Sequence, residues 1–295
     1  MRYFSLLMLA LNPILWASFY AVTKRALSDI DPIAFSFMEL CVAVLPALLL
    51  ACGLKREFNL VVLRRGIFLG VVLYGAVLAS TIALYFTTAT ATTFFPALSG
   101  GMGACIGAIF LCQKPHRLTI FSGGLSIFGC GLLIYLAPDT GVVRLGDLIA
   151  LLATCLYTAY IFCVGEGMAA RPGELAAIFV IELLTMACLA GTIWLIASFF
   201  HHQPFDHLVF HFNHVKLVIY VGLFTTFLPT AIALYFQPYV NSVTVSFLYV
   251  LEPVWGAVAA HFLDHETLPW LAYGAGTLIV LGALLETARG LRGAE

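Results

Sequence analysis

The pentapeptide IALYF occurs twice in this chain, at Ile82–Phe86 and again at Ile232–Phe236. The two copies lie 150 residues apart, which is about half of the 295-residue chain. A match of five mostly apolar residues can arise by chance in a very hydrophobic sequence. The repeat therefore needs support from composition and from other features at similar spacing.

The composition is that of an integral membrane protein. Hydrophobic residues make up 62% of the chain, charged residues 10%, and the mean hydropathy is +1.03. Soluble domains contain about 25% charged residues, and so few charges could hardly cover a water-exposed surface. The net charge of −1 gives no basic surface for nucleic acid, so the predicted partners are the lipid bilayer and a small molecule.

Apolar runs of about 18–25 residues predict membrane-spanning helices. Charged or Pro- and Gly-containing breaks separate ten such runs, which predict an all-α polytopic membrane protein. The predicted spans are 4–22, 33–53, 66–87, 91–112, 118–137, 147–164, 174–200, 216–236, 240–263 and 268–287.

Basic residues predict the orientation of these spans, because cytoplasmic loops are enriched in Lys and Arg. With a cytoplasmic N-terminus, ten of the 14 basic residues face the cytoplasm. Lys24, Arg25, Arg144 and Lys216 remain outside. Both termini are therefore predicted to be cytoplasmic, in what we expect to be a bacterial inner membrane.

Further features align the first five spans with the last five. Gly123 and Gly131 in span five are spaced like Gly274 and Gly282 in span ten. Two further pairs correspond between the halves: Glu39 with Glu182, and Trp16 with Tyr157. Because each half has an odd number of spans, the sequence predicts two inverted five-helix repeats, 1–140 and 141–295. Inverted repeats with a site near the midplane are typical of secondary transporters.

Several stretches also resemble a known family. They are ILWASFYAVTKRAL (Ile14–Leu27), GDLIALLATCLYTAY (Gly146–Tyr160), LEPVWGAVAAHFLDHE (Leu251–Glu266) and GAGTLIVLGALL (Gly274–Leu285). In order and spacing they resemble an EamA-type transporter of the drug/metabolite transporter superfamily. The resemblance implies a five-plus-five inverted arrangement, a central cavity lined mainly by helices other than five and ten, and export of small metabolites.

Three glutamates within the predicted spans are candidate substrate or proton sites. Glu252 lies about halfway along span nine, where a charged side chain costs about 2.5–3.5 kcal/mol. Pro253 beside it frees the Tyr249 carbonyl for a ligand or water. Glu39 and Glu182 are predicted near opposite mouths. The alternative for all three is a structural carboxyl that fixes helix packing.

Aromatic side chains with a polar edge suit an amphipathic guest. The candidates are Trp16, Tyr20, Tyr157, Tyr160 and Tyr249; packing is the alternative role for each. Pro229 frees the carbonyl of Thr225, near Thr226 and Thr230, and we interpret it as a packing kink.

No metal or other cofactor is predicted. The eight cysteines lie in or beside apolar runs without a CxxC pair and are interpreted as small hydrophobic residues. His207, His211 and His214 in the longest loop could share a helical face and hold zinc. An interfacial amphipathic segment is the simpler interpretation of that loop.

The sequence therefore predicts a secondary exporter or exchanger of small amphipathic metabolites such as amino acids or amines. Protons are a candidate coupling ion, and whether the chain forms a homodimer is left open. Two alternatives are an intramembrane enzyme and a non-transporting receptor or structural protein. The sequence contains no HExxH or GxGD motif, and no Ser/Lys or Ser/His pair at a credible depth, so the chain is not predicted to be an enzyme.

Overall fold

Helices are the only regular secondary structure in the part of the chain that the structure describes. A computed structural model describes residues 2–54, 57–87, 89–112, 114–136, 145–167, 172–201, 212–264 and 270–292. No β-strand occurs within these ranges. The α-helices are α1 (Arg2–Ala26), α2 (Pro32–Ala51), α3 (Leu60–Phe86), α4 (Ala89–Phe94), α5 (Ser99–Phe110), α6 (Arg117–Leu136), α7 (Leu145–Gly167), α8 (Pro172–His201), α9 (Phe212–Tyr220), α10 (Leu228–Phe236), α11 (Ser242–Tyr249), α12 (Glu252–Asp264) and α13 (Trp270–Arg292).

Seven helical stretches of the described residues are long and apolar enough to cross a membrane. They are Tyr3–Ala26, Pro32–Ala51, Leu60–Phe86, Thr92–Phe110, Leu145–Gly165, Gly173–Phe200 and His214–Tyr239. Large apolar side chains on these helices face outward, for example Leu49, Phe110 and Phe199, each more than 75% exposed. Such a surface suits lipid. The seven stretches correspond to predicted spans one to four and six to eight; the total of ten remains a prediction.

Three predicted spans are not continuous α-helices. Span four consists of α4 and α5 joined by a 3₁₀ segment, Phe95–Leu98. Span eight consists of α9 and α10 joined by a π-helical segment, Val221–Phe227. Span nine divides into α11 and α12 at residues 250–251. Pro96, Pro229 and Pro253 lie at or just after these irregularities, consistent with the hydrogen bond that a proline cannot donate.

Side-chain hydrogen bonds fix several helix ends. The Asp31 carboxylate accepts hydrogen bonds from the backbone N–H groups of Ile33 and Ala34 at the start of α2. Lys24 Nζ donates to the carbonyl oxygens of Leu84 (2.6 Å) and Thr87 (2.8 Å) at the end of α3. Positive charge at this end complements the helix dipole, so Lys24 holds α1 against α3.

Glycines allow close helix crossings between the two halves of the chain. A Cβ atom on Gly70 of α3 would lie 2.7 Å from the carbonyl oxygen of Glu182 in α8. A Cβ on Gly222, in the π segment, would lie 2.6 Å from the carbonyl oxygen of Glu39 in α2. Neither position accepts a larger residue unless the backbones separate. Glu39 and Glu182 therefore lie at close crossings between the two halves.

Helices α6 and α13 pack against each other through small residues and a buried ion pair. A Cβ on Gly129 would lie 2.8 Å from the Ala275 carbonyl oxygen. The fully buried Glu286 carboxylate pairs with the Arg289 guanidinium. It also accepts a hydrogen bond of 2.8 Å from the Thr119 hydroxyl on α6. These polar contacts are made between residues of the helix pair, and none of the described side chains of α6 or α13 lines the cavity described below.

Candidate functional site

A cavity lies between helices from both halves, and its space, together with the part open to the outside, amounts to about 590 Å³. Helices α1, α3 and α7 and the segments around Pro96 and Thr225 contribute its walls. The lining residues are Trp16, Phe19, Tyr20, Leu73, Ala76, Val77, Ser80, Pro96, Ala153, Thr154, Tyr157, Thr225, Thr226 and Thr230.

A cluster of aromatic rings forms one side of this cavity. Trp16 of α1 and Tyr157 of α7 have ring centroids 4.1 Å apart. Tyr157 also meets Tyr249 of α11 edge to face at 5.3 Å and stacks with Tyr160 at 6.1 Å. Of these rings, those of Trp16 and Tyr157 line the cavity, while Tyr249 and Tyr160 support them from behind.

Glu252 lies next to this cluster, at the first residue of α12. Its side chain is fully buried, and its position places it at the positive end of the helix dipole. The Tyr20 hydroxyl faces the carboxyl, and Tyr157 and Tyr249 lie within electrostatic range. Glu252 is not itself a lining residue; Tyr20, which lines the cavity, faces its carboxyl.

Two of the three interrupted spans, α4–α5 and α11–α12, pack against each other beside the cavity. A Cβ on Gly103 would lie 2.8 Å from Ser246 Cβ, and one on Gly256 would lie 2.7 Å from Thr93 Cγ2. The Ser99 hydroxyl donates a 3.0 Å hydrogen bond to the Ser246 carbonyl. Irregular backbone at membrane depth is tolerated where protein or a cavity surrounds it.

The comparison with known families identifies the architecture. A model described as "EamA-like transporter family" matches residues 3–135 and again residues 144–287. The chain belongs to the EamA-like transporter family. The sequence-based resemblance is thereby confirmed, and the chain is an integral membrane protein of a family of transporters rather than enzymes.

A solved structure described only as "Crystal structure of protein" has the same fold as this EamA-like chain. It superposes with a TM-score of 0.72 over 100% of both chains, at 16% sequence identity. Identity this low supports the fold and no functional detail. No protein with a curated function gives a significant sequence match.

The EamA-like fold brings most of the predicted site residues together. Trp16, Tyr20 and Tyr157 line the cavity, Tyr249 and Tyr160 support the aromatic cluster, and Glu252 lies behind Tyr20. Glu182 is joined to this group only through Tyr160, whose hydroxyl faces its carboxyl.

Glu39 lies apart from the cluster. Tyr74 on α3 lies within electrostatic range of Glu39, and Ser36 on α2 lies near the Tyr74 hydroxyl. Both Glu39 and Glu182 are fully buried, and neither lines the cavity. The sequence-based expectation of one glutamate near each mouth is not tested by these contacts.

The three glutamates differ from Glu286 in having no ionic partner. Within the described part of the chain, no carboxyl oxygen of Glu39, Glu182 or Glu252 makes an ion pair or a hydrogen bond of ordinary distance and angle. Tyr20 and Tyr160 face two of them without ordinary hydrogen-bond geometry. Buried carboxyls without partners are rare because they are costly, and in membrane proteins they mark functional positions.

Sequence reasoning missed Asn12. Its side-chain Nδ2 donates to the Tyr249 hydroxyl (2.7 Å) and to the Pro229 carbonyl oxygen (3.1 Å). One amide thereby connects α1 with α10 and α11. An Asn-Pro pair inside an apolar span was the available signal, because a buried amide needs partners.

The threonines near Pro229 also have a place that the sequence did not predict. We interpreted Pro229 as a packing kink, but Thr225, Thr226 and Thr230 line the cavity. Thr225 donates to the carbonyl of Val221 and Thr230 to that of Thr226.

The predicted histidine loop lies mostly outside the described residues, including His207 and His211. His214 is described, and its Nε2 lies 3.0 Å from Asp29 Oδ2. In the described ranges no three His, Cys, Asp or Glu side chains are placed to hold a metal ion.

Proposed function

We propose that this protein is a secondary transporter that exports or exchanges small amphipathic metabolites, such as amino acids or amines, by alternating access. Its substrate occupies the central cavity. The ten spans form two inverted repeats, 1–140 and 141–295, and access alternates as one arrangement of the repeats exchanges with the other. Membership of a transporter family supports the general activity; the particulars are our inference.

Equivalent contacts in the two halves support the repeat. Gly70 packs on the Glu182 backbone, and Gly222, 152 positions further on, packs on the Glu39 backbone. Gly103 meets Ser246, and Gly256 meets Thr93; in that exchange each partner moves by 153 positions. Two such pairs are expected from an approximate two-fold axis and are improbable without one.

The observation that carries the proposal is the pair of interrupted spans beside the cavity. Broken helices at corresponding positions of two halves are the best indication of a transporter's binding site. Here α4–α5 and α11–α12 are both broken, contact each other, and place Pro96 in the cavity wall and Glu252 behind Tyr20. The alternating exposure of this one site is what a carrier requires.

Glu252 is proposed to bind a proton and to release it when a cationic group of the substrate enters the cavity. Tyr20 is placed to couple the protonation of Glu252 to the contents of the cavity, because its hydroxyl faces Glu252 and Tyr20 lines the cavity. Motion of Tyr20 as the cavity opens would give the carboxyl direct access.

Counterflow in liposomes tests the transport proposal, because only a carrier exchanges labelled for unlabelled solute. A screen with amino acids and amines would be combined with two variants at adjacent positions. Ala153→Trp fills the cavity, since Ala153 lines it, whereas Leu152→Trp lies on an exposed face, where Leu152 is 54% exposed. We expect exchange to be lost in the first variant and retained in the second. Equal exchange by the two variants would contradict the proposal that the substrate occupies this cavity.

Both termini are proposed to face the cytoplasm of a bacterial inner membrane. The test is labelling of His207→Cys by an impermeant thiol reagent in a cysteine-free background. We expect reaction with intact cells. Reaction only after permeabilisation would reverse the proposed orientation.

A further inference from the structure

The polar part of the cavity wall consists largely of hydrogen-bond acceptors. Thr154 donates its hydroxyl hydrogen to the Ala150 carbonyl (3.0 Å). Thr225 donates to Val221 (2.9 Å) and Thr230 to Thr226 (2.6 Å), each four residues back on the same helix. A hydroxyl has one hydrogen and two lone pairs. Once the hydrogen is bound to the helix, only the lone pairs remain for a guest.

The other walls have the same polarity. Trp16, Tyr20 and Tyr157 line the cavity, and the face of an aromatic ring carries the negative side of its quadrupole. Behind Tyr20 lies the unpaired carboxyl of Glu252. None of the described lining residues is Lys, Arg or His. Three lining groups can donate to a guest: the Trp16 indole N–H, which has no partner among the described residues, and the hydroxyls of Ser80 and Thr226.

We propose that the cavity binds a small organic cation, with an ammonium group held by the threonine oxygens and the aromatic faces. This specifies the substrate class and rests on the proposal that the cavity is the transport site. An ammonium donates several hydrogen bonds and accepts none, which matches walls that accept. Cation–π attraction to Trp and Tyr is strongest where water is excluded. The donors in the wall are uncharged, and without Lys, Arg or His among the described lining residues nothing there neutralises an anionic guest.

Calorimetric binding to the purified chain in detergent tests the charge of the guest. Three probes share a phenylethyl body: 2-phenylethylamine is a cation, 2-phenylethanol is neutral, and phenylalanine adds a carboxylate to the amine. We expect the amine to bind at least about tenfold more tightly than either of the others. Equal binding of the alcohol or of phenylalanine, or no binding of the amine, would overturn the proposal.

A threonine series tests which oxygen atoms hold the ammonium. Thr225→Val keeps the shape but removes the oxygen, and should weaken amine binding about threefold to tenfold with little effect on 2-phenylethanol. Thr225→Ser restores the oxygen and should restore binding. Thr192→Val is the matched control, because Thr192 makes the same bond to its own helix, to Cys188, on an exposed face. Unchanged amine binding in Thr225→Val, or an equal loss in Thr192→Val, would contradict the assignment.

Counterflow separates this proposal from the proposed function. Exchange of a neutral solute without preference for amines would support the transport function and contradict the cationic substrate. Preferential binding of the amine without any exchange would support the cation site and contradict the transport function.

Discussion

Two regions of the interior hold buried carboxyl groups in opposite ways. Between α6 and α13, Glu286 is paired with Arg289 and accepts a hydrogen bond from Thr119. Beside the cavity, Glu252 is equally buried but has no ionic partner in the described structure. The first arrangement is complete within the protein. The second lacks a partner that a proton or a ligand can supply, so burial alone does not distinguish a structural acid from a functional one.

The largest expected effect on stability comes from removing the Glu286 carboxyl, which is paired within the protein. Glu286→Ala should destabilise the protein by about 3 kcal/mol, at the lower end for buried pairs because Arg289 is partly exposed. The measurement is the free energy of unfolding in mixed micelles. Glu252→Gln keeps the size of a buried side chain that has no ion pair to lose, and should change that free energy by about 1 kcal/mol or less. A larger loss in Glu252→Gln than in Glu286→Ala would reverse our assignment of the two acids.

A second effect extends the comparison to Glu39 and Glu182. Gly70→Ala and Gly222→Ala each place a methyl group within 3 Å of a glutamate carbonyl on the opposing helix. Each should cost about 1–3 kcal/mol of unfolding free energy, and the two costs should be similar if the halves are equivalent. Gly131→Ala is the control, since a Cβ there meets nothing within 4 Å. It should be neutral or stabilising by up to about 1 kcal/mol. Costs that differ between Gly70→Ala and Gly222→Ala by more than about 2 kcal/mol would contradict the symmetry.

The smallest expected effect on stability comes from Tyr20→Phe. This change keeps the ring that lines the cavity and removes the hydroxyl that faces Glu252. We expect a change below about 0.5 kcal/mol in unfolding free energy, with counterflow slowed about threefold to tenfold. Tyr85→Phe is the control, at a tyrosine that is 53% exposed. Counterflow at the wild-type rate in Tyr20→Phe would show that the Tyr20 hydroxyl is not needed for transport.

Much of this site could be predicted from the sequence because the chemistry is unusual for its setting. A carboxyl in the middle of an apolar run is costly, so Glu252 was visible without coordinates. The repeat IALYF suggested which tyrosines and glutamates correspond. Trp16 and Tyr157, paired by that alignment, are in contact at 4.1 Å.

Other features depend on contacts that are distant along the chain. The role of Asn12 requires Pro229 and Tyr249, more than 200 residues away. The acceptor character of Thr225 depends on where its hydrogen is bound, which composition does not reveal. Three predicted spans contain irregular segments because proline removes hydrogen bonds locally while packing holds the chain together. Pattern alone detects the proline but not the resulting geometry.

The most direct measurement for the central claim is the pH profile of counterflow by purified Glu252→Gln in liposomes. Glutamine keeps the size of the side chain but cannot exchange a proton. Tyr20 from α1 faces Glu252, and Tyr157 from α7 and Tyr249 from α11 lie within electrostatic range of it; all three remain in the variant. We predict a folded protein whose counterflow no longer depends on pH. Counterflow at the wild-type rate with the wild-type pH profile would show that the Glu252 carboxyl is structural, like that of Glu286.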